Sequence, residues 1–147
     1  MTAPPLARVG PDAVSVAEGR GTRMAGKEYL RTDADRPVRH AIEPRDHSFD
    51  DPAFANQLAA HGVAAVLGDT AGRWPVLDWV TADFAYARLH GDREIYTSGY
   101  DDAGLDRWEE WTRDHLDRGR DVYVYFDNDT KGRAPHDAMA LLARLRD

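Results

Sequence analysis

The residues of this 147-residue chain best equipped for chemistry stand where four apolar runs give way to polar ones. Glu43 and Arg45 follow RHAI, and Asp69 follows VAAVLG. Arg88 and His90 close FAYARLH, and Asp127, Asn128 and Asp129 follow VYVYF. Carboxylates, an imidazole and guanidinium groups together suit proton transfer on an anionic substrate, since the planar donors of arginine hold an anion while imidazole or carboxyl moves the proton. On this reading Glu43 and His90 are the catalytic pair. The substrate-binding residues are Arg45, Asp69, Arg73, Trp74, Arg88, Asp127, Asn128 and Asp129, with Trp74 of the GRWP loop as a wall. Replacing Glu43 or His90 with alanine in the assembled protein is expected to abolish turnover without unfolding it, and unchanged rates would remove both from the mechanism. Each position also has a plain structural alternative: Glu43 and Arg45 as an ion pair, and Asp127 and Asp129 as the lead into a turn with Asn128 and Gly132. It is the convergence of four such ends that suggests a site.

A second chemistry drawn from the same residues is metal-assisted hydrolysis of a phosphodiester. His90, Glu43, Asp69 and Asp127 are donor types that suit Zn²⁺ or Mn²⁺. Their spacing is not diagnostic, so no metal ligand is assigned and the cofactor stays unknown. No HExxH, GxGxxG, Walker or GxSxG pattern occurs. The third reading is a non-catalytic or vestigial interaction protein.

The elements that must position these residues alternate. Strands are expected at Arg39 to Glu43, Val63 to Leu67, Phe84 to Leu89 and Val122 to Phe126, all with little polar alternation, as in parallel sheets covered on both faces. Helices are expected between them. One follows Asp50-Asp51-Pro52, with an acidic cap, proline in the first turn and Gly62 after the end. Another follows Asp101-Asp102, with Leu105, Trp108, Thr112 and Leu116 on its buried face. A third follows Pro135, burying Ala138, Leu141, Leu142 and Leu145. The link from Asp69 to Asp83 lacks a good crossover helix. Strand and helix in alternation predict parallel βαβ units of the α/β class, with ligands at the carboxyl ends of the strands. Period-two alternation then puts Glu43 with Arg45, and Arg88 with His90, on a shared face. The segment from Gly91 to Gly99 reads as a lid or binding wall at the same end, and Trp108 and Trp111 read as core.

Composition bounds the rest. Net charge is -7, which argues against nucleic acid held by bulk electrostatics. The absence of cysteine removes disulfides, thiolate metal sites and cysteine nucleophiles. No apolar run nears the roughly 20 residues of a membrane span, so no membrane association is expected and a cytoplasmic location is the default. Residues 1–26 read as a weakly ordered leader, with a short helix at Ala13 to Ala17 as its only element, and residues 27–147 as the folded unit.

The runs RPVRHAIEPRDHSF, HGVAAVLGDTAGRWP, TADFAYARLHG, YTSGYDDAGLDRW and GRDVYVYFDND resemble the YecE-like family, number 72 among the domains of unknown function, from about Met24 to Leu145. The resemblance implies a triose-phosphate-isomerase-type barrel whose activity is not established. The family's EFRH-like element falls on Glu43, Pro44, Arg45 and Asp46, with Asp46 in place of histidine and His47 adjacent. Its RLHG element falls intact on Arg88, Leu89, His90 and Gly91. Its FNND element falls on Phe126, Asp127, Asn128 and Asp129, with Asp127 in place of asparagine.

Against such a barrel, the resemblance covers only the last four β/α units. About four parallel strands cannot close; a small barrel needs about eight. The margins RHAIE and VYVYF are then expected to lie bare, which invites pairing or aggregation. Three outcomes follow: a truncated product that folds poorly, a homodimer that completes the barrel, or completion by a separately encoded N-terminal half.

Overall fold

The structure is a computed structural model that describes residues 38–146 and the backbone of residues 14–19. All four expected strands form, each starting or ending within two residues of the expected place. They are β2 (Arg39–Pro44), β3 (Val63–Asp69), β4 (Phe84–Leu89) and β5 (Asp121–Phe126). They lie parallel in chain order. A fifth strand, β1 (Val14–Gly19), pairs parallel with β2 in the register Val14 to Arg39 through Gly19 to Pro44. The helix expected at Ala13 to Ala17 is thus a strand, and the margin RHAIE is covered rather than bare. VSVAEG carries β-branched residues at alternate positions, and a strand neighbour supplies the backbone partners that a short isolated helix would lack. The remainder of the leader expected over 1–26 lies outside the described residues.

The helices start where the acids are. Helix α1 (Pro52–Ala60) begins with the Asp51 carboxylate accepting from the Ala53 amide at 2.8 Å. Helix α2 (Asp102–Asp117) begins with Asp101 accepting from the Gly104 amide at 2.9 Å. Each cap satisfies an amide that the first turn cannot. Helix α3 spans Ala134–Arg146. No helix links β3 to β4; the crossover from 70 to 83 is irregular, with the buried Thr81 hydroxyl donating to Val63 O at 2.7 Å and accepting from the Ala65 amide at 2.8 Å. Two helix faces differ from expectation. In α2 the buried set is Gly104, Leu105, Trp108, Thr112 and His115, while Leu116 is 41% exposed. In α3 it is Ala134, Asp137 and Leu141, while Leu142 and Ala138 face solvent. The helix-spacing rule allows either neighbour at the end of a turn, and packing against the sheet chose the other one.

The sheet has two faces with different roles. Ile42, Val63 and Ala65 pack with Leu58 of α1, and Leu67, Ala87 and Leu89 pack with Leu105, Trp108 and Leu141 of α2 and α3. This is the helix-covered face, and Trp108 and Trp111 belong to its core as expected. Ala41, Ala64, Val66, Phe84, Tyr86 and Tyr123 cluster on the opposite face, without a helix residue among them. There Tyr86 stacks on Tyr125 at 5.2 Å and on Tyr123 at 6.0 Å. The arrangement is an α/β partial barrel, whose uncovered sheet face corresponds to the barrel interior. Among the described residues, no helix is long and apolar enough to cross a membrane.

Candidate functional site

Continuing the interior face toward the strand ends leads to the site. Alternation carries Ala41 to Glu43 on β2 and Val66 to Gly68 on β3. It carries Tyr86 to Arg88 and then His90 beyond β4, and Tyr125 to Asp127 beyond β5. Register aligns them laterally, with Gly68 opposite Arg88 and Arg88 opposite Tyr125. Gly68 leaves room at the centre: a Cβ there would lie 3.6 Å from Glu43 Oε1.

Glu43 is the hub and is only 1% exposed. Its Oε1 lies 2.7 Å from His90 Nε2, and its Oε2 accepts from Arg45 Nη2 at 2.8 Å and Arg88 Nη1 at 2.7 Å. Burial by itself would raise this carboxyl; hydrogen bonds from His90 and Arg45 and the charge of Arg88 outweigh it and lower the group to about 2. Glu43 is therefore an anion that accepts only, and the His90 nitrogen facing it carries the proton. Arg88 also donates through Nη2 to Asp127. The other His90 nitrogen, Nδ1, is buried and has no hydrogen-bond partner; Asp127 Oδ2 stands 3.6 Å away. His90 is 0% exposed. The Trp74 ring meets it edge-on at 5.8 Å and the Tyr96 ring at 5.4 Å. The Arg45 guanidinium lies over Trp74 at 4.3 Å, and that of exposed Arg73 at 5.5 Å.

The structure therefore gathers Glu43, Arg45, Arg88, His90 and Asp127, with Trp74 and Arg73 at the rim. Three other expected binding residues point elsewhere. Asp69 has the opposite parity to Gly68, so it shares the helix-covered side of Leu67 and accepts from Tyr100 Oη at 3.1 Å. Burial raises its carboxyl above the ordinary value, against the Tyr100 hydrogen bond, which lowers it. Asn128, one residue past Asp127, donates to Ser98 O at 2.9 Å and to Asp137 Oδ2 at 2.7 Å, and so clamps a loop rather than lining the cluster. Asp129 is exposed, with its carbonyl accepting from the Gly132 amide in a turn. Of the expected metal donors Asp69 stands apart from Glu43, His90 and Asp127, and among the described residues no three His, Asp or Glu side chains are grouped so as to hold a metal ion. Asp46, where the resemblance would put histidine, accepts from the Ser48 amide at 2.9 Å and caps a short 3₁₀ turn; neither it nor His47 is buried, and the site's imidazole is that of His90.

A protein family profile described as protein of unknown function DUF72 matches residues 21–147. The chain belongs to the DUF72 family. A crystal structure of a DUF72 family protein from Thermotoga maritima superposes with a TM-score of 0.76 at 26% identity, over 92% of this chain and 58% of that one. A DUF72 family protein from Enterococcus faecalis superposes at 0.71 with 21% identity, over 90% of this chain and 58% of that one, a likeness of fold. This DUF72 chain thus spans 58% of the length of either solved relative. No curated protein matches it.

Two site contributors of this DUF72 chain escape a reading by residue type. Tyr96 sits in the segment expected to form a wall, and its contact with His90 follows from a left-handed backbone, φ 64°. Asp137 is legible in principle: an acid four residues before buried Leu141 lies on the core side of α3 and must find donors, here the Tyr100 amide and Asn128.

Two predictions arise here. Because the Asp69 carboxyl is raised, its charged form is disfavoured on folding, so its contribution is best below the ordinary carboxylate range and worsens as pH rises through it. Asp69→Asn, whose amide oxygen still accepts from Tyr100, is expected to raise the melting temperature at pH 7, with the gain shrinking toward pH 3. Gly91 has φ 131°, and a Cβ would lie 2.4 Å from Glu94 O. Gly91→Ala is expected to cost about 2 kcal/mol or more through strain and clash, read by chemical denaturation.

Proposed function

We propose that the site is a proton-transfer centre of an enzyme acting on a small anionic or phosphorylated substrate, in which His90 Nδ1 is the base and Glu43 orients it. The observation that carries this reading is the lone buried nitrogen: Nε2 is committed to the Glu43 carboxylate while Nδ1 has no partner. In a neutral imidazole one nitrogen donates and the other accepts, so with Nε2 donating to Glu43 it is Nδ1 that bears the lone pair. A substrate proton taken by Nδ1 leaves an imidazolium whose Nε2–H still faces the Glu43 anion, which stabilises it. Glu43, lowered to about 2, does not itself exchange protons near neutrality. This separates the two members of the expected acid–base pair into a base and its positioning residue.

Arg45 and Arg88 already serve Glu43, so the anion is best met by Arg73, which makes no ion pair among the described residues and stands on the Trp74 ring. Nitrogen NMR of labelled imidazole tests the base: a pyridine-type Nδ1 with a protonated Nε2 is expected, and a proton on Nδ1 with none on Nε2 would remove His90 Nδ1 from the mechanism. A non-catalytic reading is favoured by the pairing of Glu43 and Asp127 with Arg45 and Arg88, which could close the barrel mouth as a structural knot. His90→Gln separates them, because loss of turnover with unchanged stability fits only the catalytic role.

We further propose that the site works in a completed barrel. Strand β5 has β4 as its neighbour and leaves Tyr125 49% exposed, and α3, which packs on β5, exposes Met139 and Leu142. Another strand and helix fit that margin, supplied either by a second copy of the chain or by a separate polypeptide carrying the remainder of the barrel.

A further inference from the structure

His90 Nδ1 is buried, with Asp127 Oδ2 3.6 Å away. With His90 0% exposed, any substrate that reaches Nδ1 needs a covering side chain to move first; Asp127 is tied to Arg88, which leaves the rings. Two rings stand directly on the imidazole, Trp74 and Tyr96.

Their tethers differ. The Trp74 amide donates to the buried Thr70 hydroxyl at 3.1 Å, and its ring carries the Arg45 guanidinium at 4.3 Å, itself fixed to Glu43. Moving Trp74 would disturb the hub. Tyr96 is held only by its backbone: its amide donates to His90 O, and its carbonyl accepts from the Thr130 amide at 3.1 Å. Those two bonds impose the left-handed φ of 64°, which an L side chain adopts rarely. The flanking chain is fixed as well, since Ser98 Oγ accepts from the Arg93 and Glu94 amides and Asn128 holds Ser98 O. The Tyr96 ring itself is half-buried, and its hydroxyl makes no hydrogen bond among the described residues. The backbone is therefore anchored while the ring has only an edge contact to lose.

We propose that the Tyr96 side chain is the gate to His90, turning about its own χ1 on a backbone that stays in place, and that it sets which substrates reach Nδ1. The proposal rests on the reading of His90 as the base. When the ring swings out, the opening is bounded by Trp74 and Asp127, with Arg73 at its lip, so it admits a slim polar or anionic group and excludes bulky apolar ones.

Carbethoxylation by diethyl pyrocarbonate, followed site by site by mass spectrometry on the whole chain, tests this without assuming an activity. Exposed His47, His61 and His136 report the reagent, and buried His115, on α2, reports global opening. Tyr96→Ala and Tyr96→Gly are expected to speed His90 labelling about tenfold, near the upper worth of one aromatic edge contact, with His115 unchanged. The glycine variant also relieves the left-handed backbone and guards against misfolding of the alanine one. Trp74→Phe, which keeps a ring in the fixed wall, is expected to leave His90 within about twofold with His115 unchanged. Acceleration by Trp74→Phe alone, equal acceleration at both positions, or none at either overturns the gate. The imidazole NMR measurement stands apart: a proton on Nδ1 would end the base reading whichever ring controls entry.

Discussion

Replacing Glu43 with alanine will lower the unfolding free energy by about 3–5 kcal/mol, the usual penalty for removing one partner from a buried ion cluster. The carboxylate is matched by Arg45, Arg88 and His90, and its removal strands positive charge in a place where water hardly reaches. A loss of that size would tie Glu43 to the fold as well as to the site, where residue type alone leads one to expect that its removal spares folding. The pH dependence carries the same signature. The Glu43 pKa falls from 4.5 to about 2 on folding, which corresponds to roughly 3 kcal/mol that is fully present above pH 4.5 and lost as pH drops toward 2. Urea denaturation across that window should show the loss in the native chain. Glu43→Gln should flatten it, because an amide does not titrate. A slope that survives in the glutamine variant would assign the acid sensitivity to other carboxylates.

The second large effect concerns the β5 margin. The isolated chain is expected to self-associate in sedimentation equilibrium, with a mass above 16.4 kDa that rises with concentration. Tyr125→Lys should return it to the single-chain mass. Tyr125 is 49% exposed and stacks on Tyr86, so the substitution costs a lone chain about 1 kcal/mol, while a lysine buried against a neighbouring sheet costs far more. A chain that is already single at all concentrations, with a cooperative thermal transition, would eliminate the second copy as the completing partner. Binding of a separate polypeptide would then be the form left to test.

Much of the architecture is legible in the sequence because the signals are local. Asp51 and Asp101 mark helix starts that the structure uses as caps, and VAAVL and FAYARL mark strands buried on both sides, while VYVYF marks a strand that is only partly covered. The same double burial hides which face each residue takes. VAAVLGD has no polar alternation, so nothing local reveals that Gly68 and not Asp69 looks into the interior. Where a polar pair does set the parity, as in Glu43 with Arg45 and Arg88 with His90, the shared face is read correctly. β1 escapes for a different reason. Its strand character depends on a neighbour at β2, distant in sequence, and the surrounding prolines and glycines suggest a loose segment. Tyr96 escapes because its position depends on a backbone angle fixed by hydrogen bonds to His90 and Thr130, which no residue type announces.

The strictly sequential strand order has a bearing on how the chain is made. Each new strand docks beside the one just synthesised, so the sheet can grow from its N-terminal side as the polypeptide leaves the ribosome. Glu43 would be enclosed early, when β2 and β3 meet, yet Arg88 and His90 arrive only with β4, some forty-five residues later. A nascent sheet stopped between those events holds a carboxylate with only part of its counter-charge. Elongation through β4 is then the step that commits the growing domain, and a ribosome paused before Arg88 should leave a nascent chain far more open to proteases than one paused just after β5.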